Sequence, residues 1–193
     1  MQPTAPTPTA PTGPAWPDLL RAAVGQAGYF TTADAAACGF SPELLIHHVR
    51  AGRLERARRG VYRVVHLPPA DDEDLVVLWL WSARRGVFSH RTALALHQLS
   101  DLLPAQADLC LPAADATRRL RVPAGLHLHH ADLGADDLVW IGHVPVTGVV
   151  RTLADCAALP IGPDLLQQAL SEATQRGLAP RAALGRIAAG GLP

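Results

Sequence analysis

Residues 28–64, GYFTTADAAACGFSPELLIHHVRAGRLERARRGVYRV, contain the signals of two short helices, a tight turn between them and a basic hairpin after them. A threonine (Thr31 or Thr32) is placed to cap a first helix that runs to residue 38. Gly39 begins the turn. Ser41 then caps a second helix that has Pro42 at its first helical position. This order of elements predicts a winged helix-turn-helix.

The second of these helices has two distinct faces and is expected to end at Gly52. Leu45 and Val49 lie four residues apart, so both should face the core. The opposite face should carry Glu43, Ile46, His47 and Arg50. Phe40, in the turn before this helix, is expected to fill the core.

Residues 53–57 and 61–65 predict the two short strands of the wing. Gly60 lies between them in a turn that suits a positive φ angle. The alternation of side chains predicts Tyr62 and Val64 inward, and Val61 and Arg63 outward. The first strand alternates imperfectly, so its register stays open.

Positive charge is concentrated in this stretch. Only Glu55 opposes the six arginines between positions 50 and 63. Residues 1–65 carry seven arginines against four acids, and residues 66–193 carry ten against thirteen, so a net charge of zero hides two halves of opposite sign. Such asymmetry indicates one half that faces nucleic acid and a second half with another role.

A helix-turn-helix places its second helix in the major groove and uses flanking basic groups on phosphates. Glu43, His47 and Arg50 are therefore the expected groove-facing residues, and Arg50 is the best specificity candidate because arginine can bond guanine bidentately. Ser41 completes the set at the start of the helix. The expected phosphate contacts are Arg53, Arg56, Arg58, Arg59 and Arg63. A winged helix used for protein contact, with a solvated hairpin, is the alternative.

The rest of the chain divides by composition. Residues 1–14 are rich in Pro and Thr and are expected to be disordered. Residues 15–68 form the predicted winged helix, and residues 69–193 a mixed α+β domain. In that domain we expect an apolar helix at about 71–82 and a helix capped by Ser89 that runs through Leu99. The stretch 106–147 should contain short strands at 107–112, 119–123, 126–130 and within 139–147. Three closing helices are expected at 148–158, 164–176 and 180–189.

Several classes of function are excluded or disfavoured by composition. The chain has no lysine, which excludes a P-loop lysine or a Schiff base. Its three cysteines are far apart and odd in number, which is typical of buried thiols in a reducing cytoplasm. The longest apolar run, residues 75–81, is too short to span a membrane, and no signal peptide is evident. We expect no cofactor.

The nine histidines raise the question of a metal site. His127 and His129 share a face of a predicted strand, and His90 and His97 share a face of a predicted helix, but no cysteine or acid completes a recognisable ligand set. Asp132, Asp136 and Asp137 are expected to be surface turn acids. The prediction is therefore no metal; a metal-dependent nuclease that uses residues 127–137 is the enzymatic alternative. Arg151 and Asp155 are spaced for an ion pair, or else mark a binding face.

The whole chain from about residue 16 to 189 resembles AbiEi-type antitoxins. The string GRLERARRGVYR at 52–63 carries the resemblance best, followed by VFSHRTALALHQL, GHVPVTGVVRTLADCAA and LLQQALSEATQRGL. The resemblance implies a type IV toxin–antitoxin operon with a nucleotidyltransferase-like toxin. It also implies an N-terminal domain that binds inverted repeats in the promoter, through residues 42–50 and the arginines at 53–63, and a second domain that serves neutralisation.

These lines together predict a non-enzymatic, cytoplasmic regulator that binds double-stranded DNA and represses its own promoter. A stand-alone regulator without a toxin, and a protein-interaction module that does not bind DNA, are the alternatives. The sequence leaves open whether inverted repeats are filled by a dimer or by two monomers.

Overall fold

The computed structural model of the protein describes residues 13–159 and 161–191. The chain forms two compact units, and the division falls between Glu73 and Asp74. This point lies a few residues beyond the boundary expected at 68/69. Except for Gly13 and Pro14, the N-terminal tail that we expected to be disordered lies outside the described residues.

The first unit is a winged helix-turn-helix made of three helices and a three-stranded antiparallel sheet. Its helices are α1 (Trp16–Val24), α2 (Thr32–Ala37) and α3 (Pro42–Arg50). Its strands are β1 (Tyr29–Thr31), β2 (Leu54–Arg58) and β3 (Val61–Val64), in the order β1-β3-β2. Strand β1 was not predicted, because three residues give too little pattern to read before pairing with β3 is known.

Both helices of the helix-turn-helix begin with side-chain caps. Thr31, rather than Thr32, caps α2: its hydroxyl accepts a hydrogen bond from the Asp34 amide (3.2 Å), and the Asp34 carboxylate accepts one from the Thr31 amide (2.8 Å). The Ser41 hydroxyl accepts from the Leu44 amide at 3.2 Å, with Pro42 at the start of α3, as predicted. Such caps stabilise short helices by roughly 1 kcal/mol each.

The core of the first unit forms around Phe40, which is 3% exposed as expected. Trp16 of α1 meets Phe40 edge-on, with ring centroids 4.9 Å apart. The expectation that Val61 points outward was wrong, since it is only 2% exposed. Strand β3 is the central strand of its sheet, and Tyr62 and Val64 on its other face are buried too.

The second unit is a mixed α+β domain. Helix α4 (Glu73–Trp81) is buried nearly all round, as its sequence predicted. The five-stranded sheet has the order β6-β5-β4-β8-β7, where the strands are β4 (Val87–Phe88), β5 (Ala107–Leu111), β6 (Leu126–His130), β7 (Leu138–Ile141) and β8 (Val144–Thr147). The remaining helices are α5 (His90–Leu96), α6 (Val149–Ala157), α7 (Pro163–Gln175) and α8 (Arg181–Ala188).

Strands β5 and β6 are parallel neighbours in this sheet, as are β4 and β8. Strands β5 and β6 pair in register, with Asp108 opposite His127 and Cys110 opposite His129. Strand β4 was missed because it has only two residues, and the strand expected at 119–123 is irregular. Among the described residues, no helix combines the length and apolar character needed to cross a bilayer.

Candidate nucleic-acid interface

The outward face of α3 is the one that the sequence predicted. Glu43, His47 and Arg50 are exposed, and Ile46 between them is 50% exposed. On the inward side Leu45 is 1% exposed and His48 is 5% exposed. The two adjacent histidines therefore have different surroundings, and only His47 is available to a ligand.

The start of α3 fixes the charge of its first acid. A hydrogen bond from its own backbone amide, together with one from the Ser41 hydroxyl, lowers the pKa of Glu43, so this carboxylate is ionised at neutral pH. Ser41 is exposed, but its hydroxyl is engaged by Leu44 and Glu43. The hydroxyl of Ser41, which the sequence predicted as a DNA contact, is therefore already used to cap α3 and to bind Glu43.

The wing presents most of its arginines to solvent. Arg53, Arg56 and Arg59 are exposed and Arg58 is partly exposed. The β2–β3 register shifts between Arg56 and Arg58, which explains the imperfect alternation of the first strand. Gly60 has a φ of +79°, as the turn required, and its carbonyl accepts from the Thr32 amide at 3.0 Å, which ties the tip of the wing to α2.

The exposed arginines of α3 and the wing have no ionic partner among the described residues. Within the part of the chain that the structure describes, no ion pair or hydrogen bond engages the guanidinium groups of Arg50, Arg53, Arg56, Arg58 and Arg59. Exposed cations without internal partners are free to engage phosphates. We call Glu43, Ile46, His47 and Arg50, together with the four wing arginines at 53, 56, 58 and 59, the α3–wing surface.

Arg63 departs from the prediction that it contacts phosphate. Its side chain is 14% exposed, and its guanidinium donates to the Leu67 carbonyl at 2.8 Å. Its Nε lies 3.9 Å from the carboxylate of Glu73, the last residue of the first unit. Because β3 is a central strand, Arg63 is held against the protein and stabilises the segment that follows the wing.

Several arginines of the second unit form ion pairs with acids of the same unit. Arg151 pairs with Asp155 at 2.7 Å, as its spacing predicted, and lies 3.6 Å from Asp137. Burial raises the pKa of Asp155, although the ion pair with Arg151 opposes the shift. Asp115 is shared by Arg85 at 2.8 Å and Arg118 at 3.2 Å.

The residues considered for a nuclease do not assemble as their sequence proximity suggested. Asp132 accepts from the Ala113 amide at 3.1 Å, 19 residues earlier in the chain, and Asp137 accepts from the Gly134 amide at 2.9 Å within a turn, so both carboxylates are used in backbone contacts. His127 and His129 instead contact Asp108, 19 and 21 residues earlier in the chain. The sequence contained one usable signal for this contact, namely that 107–112 and 126–130 both predict strands.

The environment of Asp108 keeps it charged. Burial alone would raise the pKa of this carboxyl, but hydrogen bonds from His129, Arg91 and His127 outweigh it and hold the pKa below its usual range. Ser89 occupies the N-cap position of α5, but its hydroxyl bonds Nδ1 of His90 (2.9 Å) instead of capping the helix. Burial, and then the proximity of His129, lower the pKa of His90 to about 4.

Comparison with known proteins bears on the first unit most directly. Residues 17–65 match the model of a family described as transcriptional regulator, AbiEi antitoxin. This segment is therefore similar to the AbiEi antitoxin family over about a quarter of the chain. The match confirms the resemblance over residues 17–65, a segment that includes the α3–wing surface. No curated protein matches the chain.

A solved structure shares the fold over nearly the whole chain. The crystal structure of the RV2827C protein from Mycobacterium tuberculosis is 19% identical, with a TM-score of 0.53. The similarity covers 92% of this chain and 72% of that chain. At this identity the likeness shows the fold alone.

Proposed function

We propose that the protein binds double-stranded DNA at inverted repeats in the promoter of its own operon and represses transcription. The observation that carries the proposal is the α3–wing surface: an exposed helix face flanked by arginines that have no partner within the described chain. A helix-turn-helix docks this face in the major groove and uses neighbouring cations on the backbone.

Different residues of the surface have different roles in this proposal. Arg50 reads a guanine, and His47 and Glu43 contact the adjacent base edges; a carboxylate can accept from a cytosine amino group. The four wing arginines at 53, 56, 58 and 59 neutralise phosphates, which fixes the register of the helix but reads no sequence. Arg63 is not in this set, because its guanidinium is used inside the first unit.

A toxin-opposing role is the second part of the proposal, and the family match supports it. We infer a toxin of the nucleotidyltransferase type encoded beside this gene, which the second unit opposes without a stable complex. The protein acts in the cytoplasm, and neither part of the proposal requires it to catalyse a reaction.

Binding to DNA is tested by fluorescence anisotropy with the duplex upstream of the gene and with a scrambled duplex of the same composition. Each is titrated at several salt concentrations. If four wing arginines contact phosphates, log Kd changes with log salt by about 3.6. The upstream duplex should bind more tightly at every salt concentration. Equal affinity for both duplexes would contradict sequence-specific repression, and a salt-independent affinity would contradict the phosphate contacts.

The toxin-opposing role needs a separate test in cells. The neighbouring gene is expressed with and without this chain, and with a chain in which Arg58 and Arg59 are both replaced by alanine. Growth should be restored by both forms, since the proposal separates toxin opposition from DNA binding. Arrested growth in the presence of the intact protein would refute this part and leave the repressor proposal standing.

A further inference from the structure

Three potential metal ligands meet where strands β5 and β6 run side by side. Asp108 Oδ1 accepts hydrogen bonds from His127 Nδ1 at 3.1 Å and from His129 Nε2 at 2.9 Å. The three ligand atoms all lie within 4.8 Å of one another. The parallel register produces this arrangement, because it sets Asp108 opposite His127 and places His129 two residues further along the same face.

Two of the three spacings among these atoms, those from Asp108 to each imidazole, are close to those of a coordination sphere. Zinc binds imidazole nitrogen and carboxylate oxygen at about 2.0–2.2 Å in tetrahedral sites, so neighbouring ligand atoms are roughly 3.3 Å apart. The distances from the Asp108 oxygen to the two imidazole nitrogens fall a few tenths of an ångström short of this. A small outward movement of the two rings would therefore admit an ion between the three groups.

Surrounding side chains hold two of the ligands in position. The second oxygen of Asp108 accepts from Arg91 Nε at 3.1 Å, and the Asp108 amide donates to the Thr92 hydroxyl at 2.8 Å. The His129 ring stacks on that of His90, with centroids 3.6 Å apart. Partners of this kind orient metal ligands and are needed for full affinity. The bond of 3.3 Å from Arg91 to Oδ1 is the one that a metal would replace.

Access to this cluster is from one side. The Asp108 side chain is fully buried and that of His129 is 14% exposed, whereas that of His127 is 49% exposed. An ion would thus enter past His127 and keep a position open to water, which is the arrangement of sites with three protein ligands.

We propose that Asp108, His127 and His129 form a binding site for a divalent transition metal, with zinc as the ion best suited to two imidazoles and one carboxylate. The ion would link β5 to β6 across the sheet of the second unit. This site is independent of the α3–wing surface and of the function proposed for it.

The test is isothermal titration of the full-length, tag-free and chelator-treated protein with Zn²⁺ alone. His127→Ala is the informative variant, because this side chain is half exposed and its loss should leave the fold intact. His130→Ala is the matched control: it is exposed on the same strand but points to the opposite face. The melting temperature of each metal-free variant verifies folding.

We expect one Zn²⁺ per chain for the unmodified protein and for His130→Ala. His127→Ala should weaken binding by more than the roughly 10–100-fold that loss of an outer partner causes. Zn²⁺ should raise the melting temperature of the unmodified protein and of His130→Ala, but not that of His127→Ala. A second variant, His129→Ala, should lose the ion as well. Absence of one-to-one binding, or equal binding by His127→Ala and His130→Ala, would overturn the proposal.

Discussion

The α3–wing surface and the second unit differ in how their arginines are paired. On the α3–wing surface, Arg50 and the four wing arginines have no ionic partner in the described chain. In the second unit, the following arginines each pair with an internal acid: Arg85, Arg91, Arg118, Arg151 and Arg176. Half of the ten arginines in the second unit therefore stabilise the protein's own architecture, whereas those of the α3–wing surface are free to engage an external anion.

This difference in pairing supports the proposed DNA-binding surface better than the net charge of the chain or of its halves does. The chain as a whole has no net charge, and the number of arginines is larger in the second half. An exposed cation is most available to a phosphate when no nearby carboxylate neutralises it, so the pairing state narrows the candidates and the position of the arginine on the α3–wing surface selects among them. Arg63 shows the same rule inside the first unit, because it is adjacent to the wing and yet paired.

The largest effect is expected from removing the tip of the wing. Replacing Arg58 and Arg59 with alanine deletes two phosphate contacts, so the salt slope should fall by about 1.8 and affinity should drop about 60-fold at about 0.1 M salt. All sequences should be affected alike. The measurement is anisotropy on specific and scrambled duplexes across a salt series.

A matched control makes the same change of charge in the other unit. Arg181 and Arg186 of α8 are exposed, and the double alanine variant should bind DNA as the unmodified protein does. If this variant lost as much affinity as the wing variant, the contrast between the two units would be one of net charge alone.

Arg50→Ala should change specificity rather than general affinity. Loss of a bidentate contact to guanine costs about 1–3 kcal/mol of discrimination, which is roughly 5- to 150-fold at one base pair. Arg53→Ala, only three residues away, should instead weaken every duplex equally. Binding to a library of single-base operator variants distinguishes the effects of the two substitutions. An unchanged base preference in Arg50→Ala would show that Arg50 does not contact a base.

The part of the molecule that sequence predicted well is the part decided by local signals. The cap at Ser41, the proline after it and the spacing of Leu45 to Val49 fixed α3 and its exposed face. What was missed depends on contacts distant in sequence. Strand β1 exists through its pairing with β3, which also makes Val61 a buried residue and holds Arg63 inward. Asp108 joins His127 and His129 only because β5 and β6 are parallel neighbours.

Arg63→Ala should act on stability. It removes a charged donor from the Leu67 carbonyl, and hydrogen bonds to charged groups contribute about 1.5–3 kcal/mol. Arg59→Ala, four residues earlier and exposed, should stay within about 0.5 kcal/mol of the unmodified protein. Hydrogen exchange of peptides from residues 13–73 measures both. Equal free energies of unfolding in the two variants would show that the contacts of Arg63 do not stabilise the first unit.

The smallest effect concerns the contrast between His48 and His47 on α3. Burial first, then the charges of Arg53 and His47, lower the pKa of His48, and its Nδ1 has no hydrogen-bond partner in the described chain. Below the ordinary pKa of 6.5 the unfolded chain therefore takes up a proton that native His48 resists, and the stability of the first unit falls as pH drops from 7 to 5. His48→Leu, which has no proton to resist, should lose less stability over this interval.

Exposed His47 makes the matched variant: His47→Leu removes a neighbouring charge but keeps the buried ring of His48, so it should retain most of the pH dependence of the unmodified protein. Histidines of the second unit with lowered pKa values, such as His90, titrate alike in all three proteins and cancel in the comparison. Hydrogen exchange of the first unit at pH 7 and pH 5, corrected for the intrinsic rates, reports the difference directly. Identical pH dependence in His48→Leu and His47→Leu would mean that the buried histidine accepts its proton without cost, and that the core beneath α3 is more open to water than its packing against Trp16 and Phe40 indicates.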